Sequence, residues 1–101
     1  MHNTEALRAE AEGLIEEMFA LLEQKEPGLN RDYMRGQFDG WLMLDEPKVY
    51  QFVIDTAHGV IAETKFKLGI PLDGVDRQTI SRMAAKLQSE SARRRADRML
   101  Q

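Results

Sequence analysis

Apolar residues recur every three or four positions over most of the chain, which is the spacing of amphipathic helices. In the first stretch they lie opposite a face of glutamates, and Pro27 followed by Gly28 ends the pattern. The apolar face is made of Leu7, Ala11, Leu14, Ile15, Met18, Phe19, Leu21 and Leu22. The pattern predicts a first helix over about residues 4–25.

A second helix is predicted after Asn30, whose side chain is suited to cap the free N–H groups of a first turn. Leu29 and Met34 occupy the two positions of a hydrophobic staple around that cap. Gly36 and Gly40 fall inside this helix, where each costs roughly 1 kcal/mol relative to alanine. Their spacing of four predicts either a face that another helix approaches closely or a kink.

The third apolar stretch covers more than one stripe, as expected for a helix that is buried around much of its circumference. Asp45 is the expected N-cap, and Pro47 lies in the first turn. Gly69 and Pro71 supply the stop. We therefore expect the third helix to be the central one.

A fourth helix is predicted after a turn at Asp73 and Gly74, with Asp76 as its cap. Its core face is predicted to consist of Ile80, Met83, Ala84 and Leu87. Polar residues interrupt that face from about residue 89, so we expect residues 89–101 to project from the body.

Composition agrees with a single domain. The chain has 101 residues, 43% of them apolar and 31% charged, and no cysteine. That length predicts one domain over residues 1–101, an all-α bundle of about four helices with short loops and mostly antiparallel neighbours. The N-terminus is acidic and no apolar run exceeds five residues, so we expect a cytoplasmic protein without a membrane partner.

Candidate catalytic residues are few. Asp55 and His58 share a helix face at a spacing of three, which is suited to orienting an imidazole, but no activated nucleophile accompanies them. A metal site would need a further histidine or cysteine. We therefore expect no enzymatic activity, metal or cofactor, with His58 as a hydrogen-bonded structural residue.

The sequence from Lys67 to Ile70, followed by residues 76–82, resembles the turn and recognition helix of a helix-turn-helix DNA binder. The resemblance implies that Gln78, Thr79 and Arg82 lie near base edges. About seven residues, Gly69 to Val75, separate the two predicted helices, whereas the motif has three or four. The other interpretation is a capped helix with polar outer residues.

Charge is distributed unevenly along a chain whose formal net charge is −3. Residues 1–26 hold seven acidic and two basic residues, a net of −5, whereas residues 77–101 hold seven basic and two acidic residues, a net of +5. Three interpretations follow: the first and fourth helices pack side by side, two copies associate head to tail, or each face meets an external partner.

Aromatic residues concentrate around the second and third helices, at Tyr33, Trp41, Tyr50 and Phe52. Most aromatic residues at helical spacing are core residues. Tyrosine and tryptophan are also enriched at the energetic centres of protein interfaces, and Trp41, beside Gly40, is the expected partly exposed anchor.

Together these patterns predict a small protein-binding module, such as an adaptor, a chaperone-like factor or an inhibitor that occupies a partner's surface. The partner is another protein or a second copy of the chain. The residues expected to contact it are Arg93, Arg94, Arg95, Arg98, Trp41 and Tyr33. The alternative is a DNA-binding transcriptional regulator that uses the helix from residue 77 onward, although overall acidity disfavours general binding of nucleic acid.

Overall fold

A computed structural model describes residues 4–99 of the chain, which form four helices. They are α1 (Thr4–Lys25), α2 (Arg31–Leu42), α3 (Pro47–Leu68) and α4 (Gly74–Met99). Residues 4–99 contain no strand, so the predicted all-α class is confirmed. The last two residues of the segment predicted to project, 100 and 101, lie outside the described residues.

Helix α3 is the central element, as predicted, because α1, α2 and α4 each pack against it. The most extensive of these contacts is with α1. Helices α1 and α3 run parallel: Arg8 lies beside Tyr50 near their N-terminal ends, and Lys25 lies near Glu63 towards their C-terminal ends. This is a parallel pair within the mostly antiparallel arrangement expected from the sequence, and it arises because α2 carries the chain back before α3 begins.

Helix α4 returns antiparallel along α3. Asp76 in its first turn contacts Lys65, and further along the helix Met83 lies over Gly59. Helices α1 and α4 share no extended contact. The side-by-side packing of the acidic and basic helices, one of the three interpretations of the charge pattern, is therefore not formed within the chain.

The hydrophobic core is built by the first three helices. Its members are Ala11, Ile15, Met18, Phe19, Leu21, Phe38, Leu42, Tyr50, Val53, Ile54, Ala57 and Ile61. No apolar side chain of α4 is buried within residues 74–98, where the buried residues are Asp76 and Thr79. The predicted core face of α4 is thus corrected: Ile80 is half-buried, and Met83, Ala84 and Leu87 are exposed.

The helix ends follow the predicted signals in part. The Asn30 side chain accepts a hydrogen bond from the Tyr33 N–H at 3.1 Å, and Gly69 ends α3 in the left-handed conformation at φ 72°, so both predictions are confirmed. The predicted caps of α3 and α4 are displaced. Glu46 is the N-cap of α3, without a side-chain hydrogen bond, and α4 begins at Gly74, two residues before Asp76.

Asp45 has a different role from the predicted cap. Its backbone is left-handed, with φ 50°, and its carboxylate accepts a hydrogen bond from the Tyr50 hydroxyl at 2.5 Å. This hydrogen bond and burial raise the pKa of Tyr50. Asp45 therefore joins the α2–α3 turn to a core side chain instead of capping a helix.

Helix α2 passes through Gly36 and Gly40 without a break. Both glycines are exposed, and a Cβ added at either position would have no atom of a neighbouring element within 4 Å. The predicted helix-packing role of these glycines is wrong. The close approach occurs instead at Gly59, where an added Cβ would lie 3.6 Å from the Met83 sulfur.

Candidate partner-binding surface

A polar anchor holds the start of α4 against the end of α3. Lys65 Nζ donates to Asp76 Oδ2 at 2.8 Å, and these two side chains are only 15% and 4% exposed. Asp73 and Asp76 also exchange hydrogen bonds, because each carboxylate accepts from the other residue's backbone N–H. This reciprocal pattern is a capping box, and it places the N-cap at Asp73.

The anchor shifts the pKa values of both charged partners. Burial alone would raise the pKa of Asp76, but the hydrogen bonds from Lys65 and from the Asp73 backbone outweigh it, so that pKa is lowered. The pKa of Lys65 is raised by its hydrogen bond to Asp76, against the opposing effect of burial. The pair is therefore charged across the neutral pH range.

Beyond this anchor, α3 and α4 border an open apolar groove of about 280 Å³. We call it the α3–α4 groove; its lining residues are Glu63, Phe66, Ile80, Met83, Ala84 and Leu87. Phe66 is 71% exposed and Leu87 is 63% exposed. The one charged lining residue, Glu63, is paired with Lys67 at 2.8 Å. Because five of the six lining residues are apolar, the groove exposes mainly apolar surface to solvent.

The groove continues into a basic surface along the same side of α4. Successive residues of an α-helix are rotated by about 100° around its axis. Arg94, Arg95 and Arg98 therefore lie on the same face of α4 as Ile80 and Leu87, nearer to its C-terminal end. The three arginines border a common shallow depression. We call them the arginine face. Arg93 does not belong to it, because the same rotation places Arg93 on the opposite flank.

The basic residues of α4 are exposed in the described part of the chain. Within residues 4–99, no ion pair involves any of the exposed cations of this helix. These cations are Arg77, Arg82, Lys86, Arg93, Arg94, Arg95 and Arg98. A surface that combines exposed carbon with unpaired cations is suited to an apolar partner that carries acidic groups.

The acids of α1 are instead neutralised in part by α2. Arg31 contacts Glu16 at 2.5 Å and Glu23 at 3.1 Å, and Arg35 also contacts Glu16. Sequence reasoning missed these pairs. The sequence contains a signal for them. The short loop between α1 and α2 makes the two helices antiparallel, and this places Arg31 and Arg35, four residues apart, opposite Glu16 and Glu23, seven residues apart.

The aromatic residues form a ladder that leads from the core to the surface. Ring centroids are 6.0 Å apart for Phe19 and Phe38, 5.4 Å for Phe38 and Trp41, and 5.6 Å for Trp41 and Phe52. Trp41 is 41% exposed. We call the exposed end the aromatic patch; it comprises Trp41, Met43, Leu44 and Phe52.

Tyr33 lies apart from this ladder. Its side chain is 66% exposed and makes no ring contact with Trp41 within the described residues. The two aromatic residues predicted to contact a partner are therefore both accessible, and no ring contact joins them among the described residues.

Asp55 and His58 line a shallow depression together with Arg82 and Lys86. The Asp55 carboxylate accepts from the Gln51 amide at 3.0 Å, and no hydrogen bond joins Asp55 to His58 in the described part of the chain. Residues 4–99 contain no group of three or more histidine, aspartate or glutamate side chains placed to hold a metal ion.

The α3–α4 pair differs in geometry from a helix-turn-helix. Five residues, 69–73, connect the two helices, and the helices lie antiparallel, whereas the motif crosses at about 90–120°. Gln78 and Arg82 are exposed. Thr79 is only 6% exposed, and its hydroxyl donates to the Val75 carbonyl at 2.8 Å, so it is not available to a base edge.

The chain matches no protein-family model, no curated protein and no solved structure. None of the helices in residues 4–99 is both long enough and apolar enough to cross a membrane. The assignment of the α3–α4 groove and the arginine face as a binding surface therefore depends on their geometry alone.

Proposed function

We propose that this chain is a non-enzymatic protein-binding module that contacts its partner through the α3–α4 groove and the arginine face. The observation that supports this proposal is that α4 leaves Leu87, Ala84 and its cations exposed instead of burying an apolar face in the protein's own core. It is an adaptor, a chaperone-like factor or an inhibitor, because such proteins act by occupying a surface and need no catalytic groups.

The groove has the chemistry of a helix-binding site. Phe66 and Leu87 are large apolar side chains whose full burial stabilises a complex by roughly 1.5–3 kcal/mol each. They flank a face along which a second helix can lay its own apolar stripe. The arginine face, which follows the groove along α4, selects the orientation in which the partner helix binds. Charges at the edge of an interface contribute mainly to specificity and association rate.

The aromatic patch is a second apolar surface. Phe52 and Phe66 are 14 residues apart on α3, which corresponds to about 21 Å along the helix. The patch is therefore separate from the α3–α4 groove. Trp41 and Phe52 present a partly exposed aromatic pair, the side-chain chemistry that is enriched at the energetic centres of interfaces.

The experiment that tests this function is capture of proteins from native lysate by the immobilised chain, with quantitative mass spectrometry. Leu87→Asp places a charge in the groove, and Gln78→Asp places the same charge on the outer side of α4. We expect Leu87→Asp to reduce partner recovery at least tenfold and Gln78→Asp to leave it unchanged. Equal recovery by the two variants would contradict a role for the groove.

A DNA-binding regulator is the second candidate. It is favoured by one observation: Arg77, Gln78, Ser81 and Arg82 are exposed together around a shallow depression on α4. Phosphate contacts are strongest at low salt, so binding to duplex DNA should be measured there. Undetectable binding eliminates this candidate, whereas binding that is weakened by Arg82→Gln and not by Arg93→Gln supports it.

A further inference from the structure

We infer that the partner in the α3–α4 groove is a second copy of this chain, with the two α4 helices packed antiparallel about a two-fold axis between Met83 and Ala84. This inference rests on the proposed function, because it names the occupant of the same surface. A two-fold arrangement uses one surface twice and closes after two copies.

The spacing of residues on α4 supports this register. With the axis between Met83 and Ala84, Ile80 of one helix lies opposite Leu87 of the other. The apolar stripe of α4, from Ile80 to Leu87, therefore packs against the same stripe of the second copy. Small residues at the crossing permit close approach of two helices, and Ala84 lies there. The apolar stripe of each copy is then covered by the stripe of the other.

The same register brings opposite charges together. Arg94 falls opposite Asp73, the N-cap of α4 in the second copy, and Arg98 extends past that N-cap towards the loop that follows α3. The Asp73 side chain is 63% exposed, and its nearest cation, Lys65, is 3.9 Å away. A helix C-terminus also carries partial negative charge that favours a nearby cation.

The body offers further negative charge at this end. The parallel packing of α1 and α3 brings the C-terminal part of α1 there, with Glu17 and Glu26, which are exposed and form no ion pair in residues 4–99. Glu17 lies within electrostatic reach of Lys65. The unpaired arginine face of each copy thus reaches the acidic end of the other, and the charges separated along the sequence meet between chains.

The stability of α4 gives a further argument. From Ser81 to residue 98 the helix has no buried side chain, although most helical stability in proteins comes from tertiary packing of an amphipathic face. Packing against a second α4 adds tertiary contacts to a stretch that has few within its own chain, such as that of Met83 over Gly59.

The first test is the molar mass of the purified 101-residue chain, measured by light scattering and sedimentation over a range of concentrations. We expect twice the 11.6 kDa chain mass at high concentration. Leu87→Asp and the double variant Arg94→Glu with Arg98→Glu should each raise the dissociation constant at least tenfold. Arg93→Glu carries the same charge change on the opposite flank and should leave it within twofold.

The second test determines the register by crosslinking. The chain has no cysteine, so Ala84→Cys and Ala85→Cys each introduce a single thiol one position apart. Because two cysteines join only when their Cβ atoms lie about 3.5–4.5 Å apart, Ala84→Cys at the axis should form a disulfide-linked dimer under mild oxidation. Ala85→Cys faces away from the axis and should not.

The outcomes separate this inference from the proposed function. A chain that stays monomeric at all concentrations, or a dimer that is insensitive to Leu87→Asp, overturns the second-copy inference. If the monomer nevertheless loses lysate partners through Leu87→Asp but not through Gln78→Asp, another protein occupies the groove and the proposed function stands. Equal crosslinking of the two cysteine variants overturns the register.

Discussion

Replacing Asp76 with asparagine should destabilise the protein substantially, although the residue lies outside the hydrophobic core. Asparagine keeps the shape and an oxygen that accepts from the Asp73 N–H, so the substitution isolates the charge. Lys65 donates to that same oxygen at 2.8 Å, so it keeps a neutral acceptor but loses the opposite charge, while its own side chain is only 15% exposed. Asp73, at 3.9 Å, remains as a weaker alternative.

The expected magnitude lies between two limits. Breaking a fully buried ion pair by removing one partner costs about 3–5 kcal/mol, and an exposed pair contributes about 0–1 kcal/mol. Asp76 is buried, but Lys65 can still reach solvent and Asp73, so we expect a loss of about 2 kcal/mol in the free energy of unfolding. For a domain of this size that corresponds to a fall of roughly 8–16 °C in Tm.

Urea unfolding followed by circular dichroism measures this loss at neutral pH. Asp97→Asn removes an exposed carboxylate that forms no ion pair among residues 4–99 and should stay within about 0.5 kcal/mol of the original chain. A double-mutant cycle with Lys65→Met separates the interaction energy of the pair from the other effects of each substitution. A loss below about 0.5 kcal/mol for Asp76→Asn would refute the argument that a polar anchor holds α4.

The pH dependence provides a second check with a definite sign. The folded state lowers the pKa of Asp76, so its stabilisation is fully present above the ordinary carboxyl pKa and is lost as pH falls through the lower folded value. The pKa of Lys65 is raised, so the alkaline loss begins only above the ordinary lysine value. The difference between Asp76→Asn and the original chain should therefore shrink below about pH 4. A difference that persists unchanged in acid would contradict the assignment to this charge pair.

Three further substitutions test local features of the fold by urea unfolding. Tyr50→Phe should lower the midpoint by the equivalent of one buried hydrogen bond, because Asp45 loses its donor at 2.5 Å; an unchanged midpoint would show that this bond adds nothing. Gly36→Ala should stabilise the protein by up to about 1 kcal/mol, since the site is an exposed helix interior with open space; a loss would indicate a contact there. Gly69→Ala should destabilise by about 1 kcal/mol because its φ is 72°, and Gly28→Ala, at a glycine without positive φ, is the control; equal effects would exclude the backbone explanation.

The sequence predicted the helices well because their signals are local. The apolar spacing, the Asn30 cap and the Gly69 stop each act within one or two turns, and the structure has all three. Asp45 and Asp76 were misassigned for a physical reason: aspartate caps a helix, occupies a left-handed turn or completes a capping box with the same side chain. Only the position of neighbouring residues, such as Tyr50, decides among these roles.

The candidate surface was less accessible to sequence reasoning. The periodicity of α4 identifies its apolar face, but it does not indicate whether another helix of the chain packs against that face. Here α1 and α2 pack against other sides of α3. In the described part of the chain, nothing covers the side where Phe66 of α3 and Leu87 of α4 are exposed. The arginines predicted to contact a partner are exposed, and only the continuous helix shows that Arg94 and Arg98 follow the groove while Arg93 does not.

The two ways in which α4 is held should be separable by experiment. The polar anchor at Asp76 holds its first turn within the chain, whereas the residues around Leu87 are proposed to be held between chains. Leu87→Asp should therefore lower dimer affinity while leaving the unfolding free energy of the dilute monomer nearly unchanged, because that side chain is 63% exposed. Asp76→Asn should lower both, since a misplaced first turn also displaces the groove. Because association stabilises the folded state by mass action, Tm of the original chain should rise with protein concentration and that of Leu87→Asp should not. If Tm rises equally for the two proteins, the contact that stabilises the folded chain lies elsewhere on its surface.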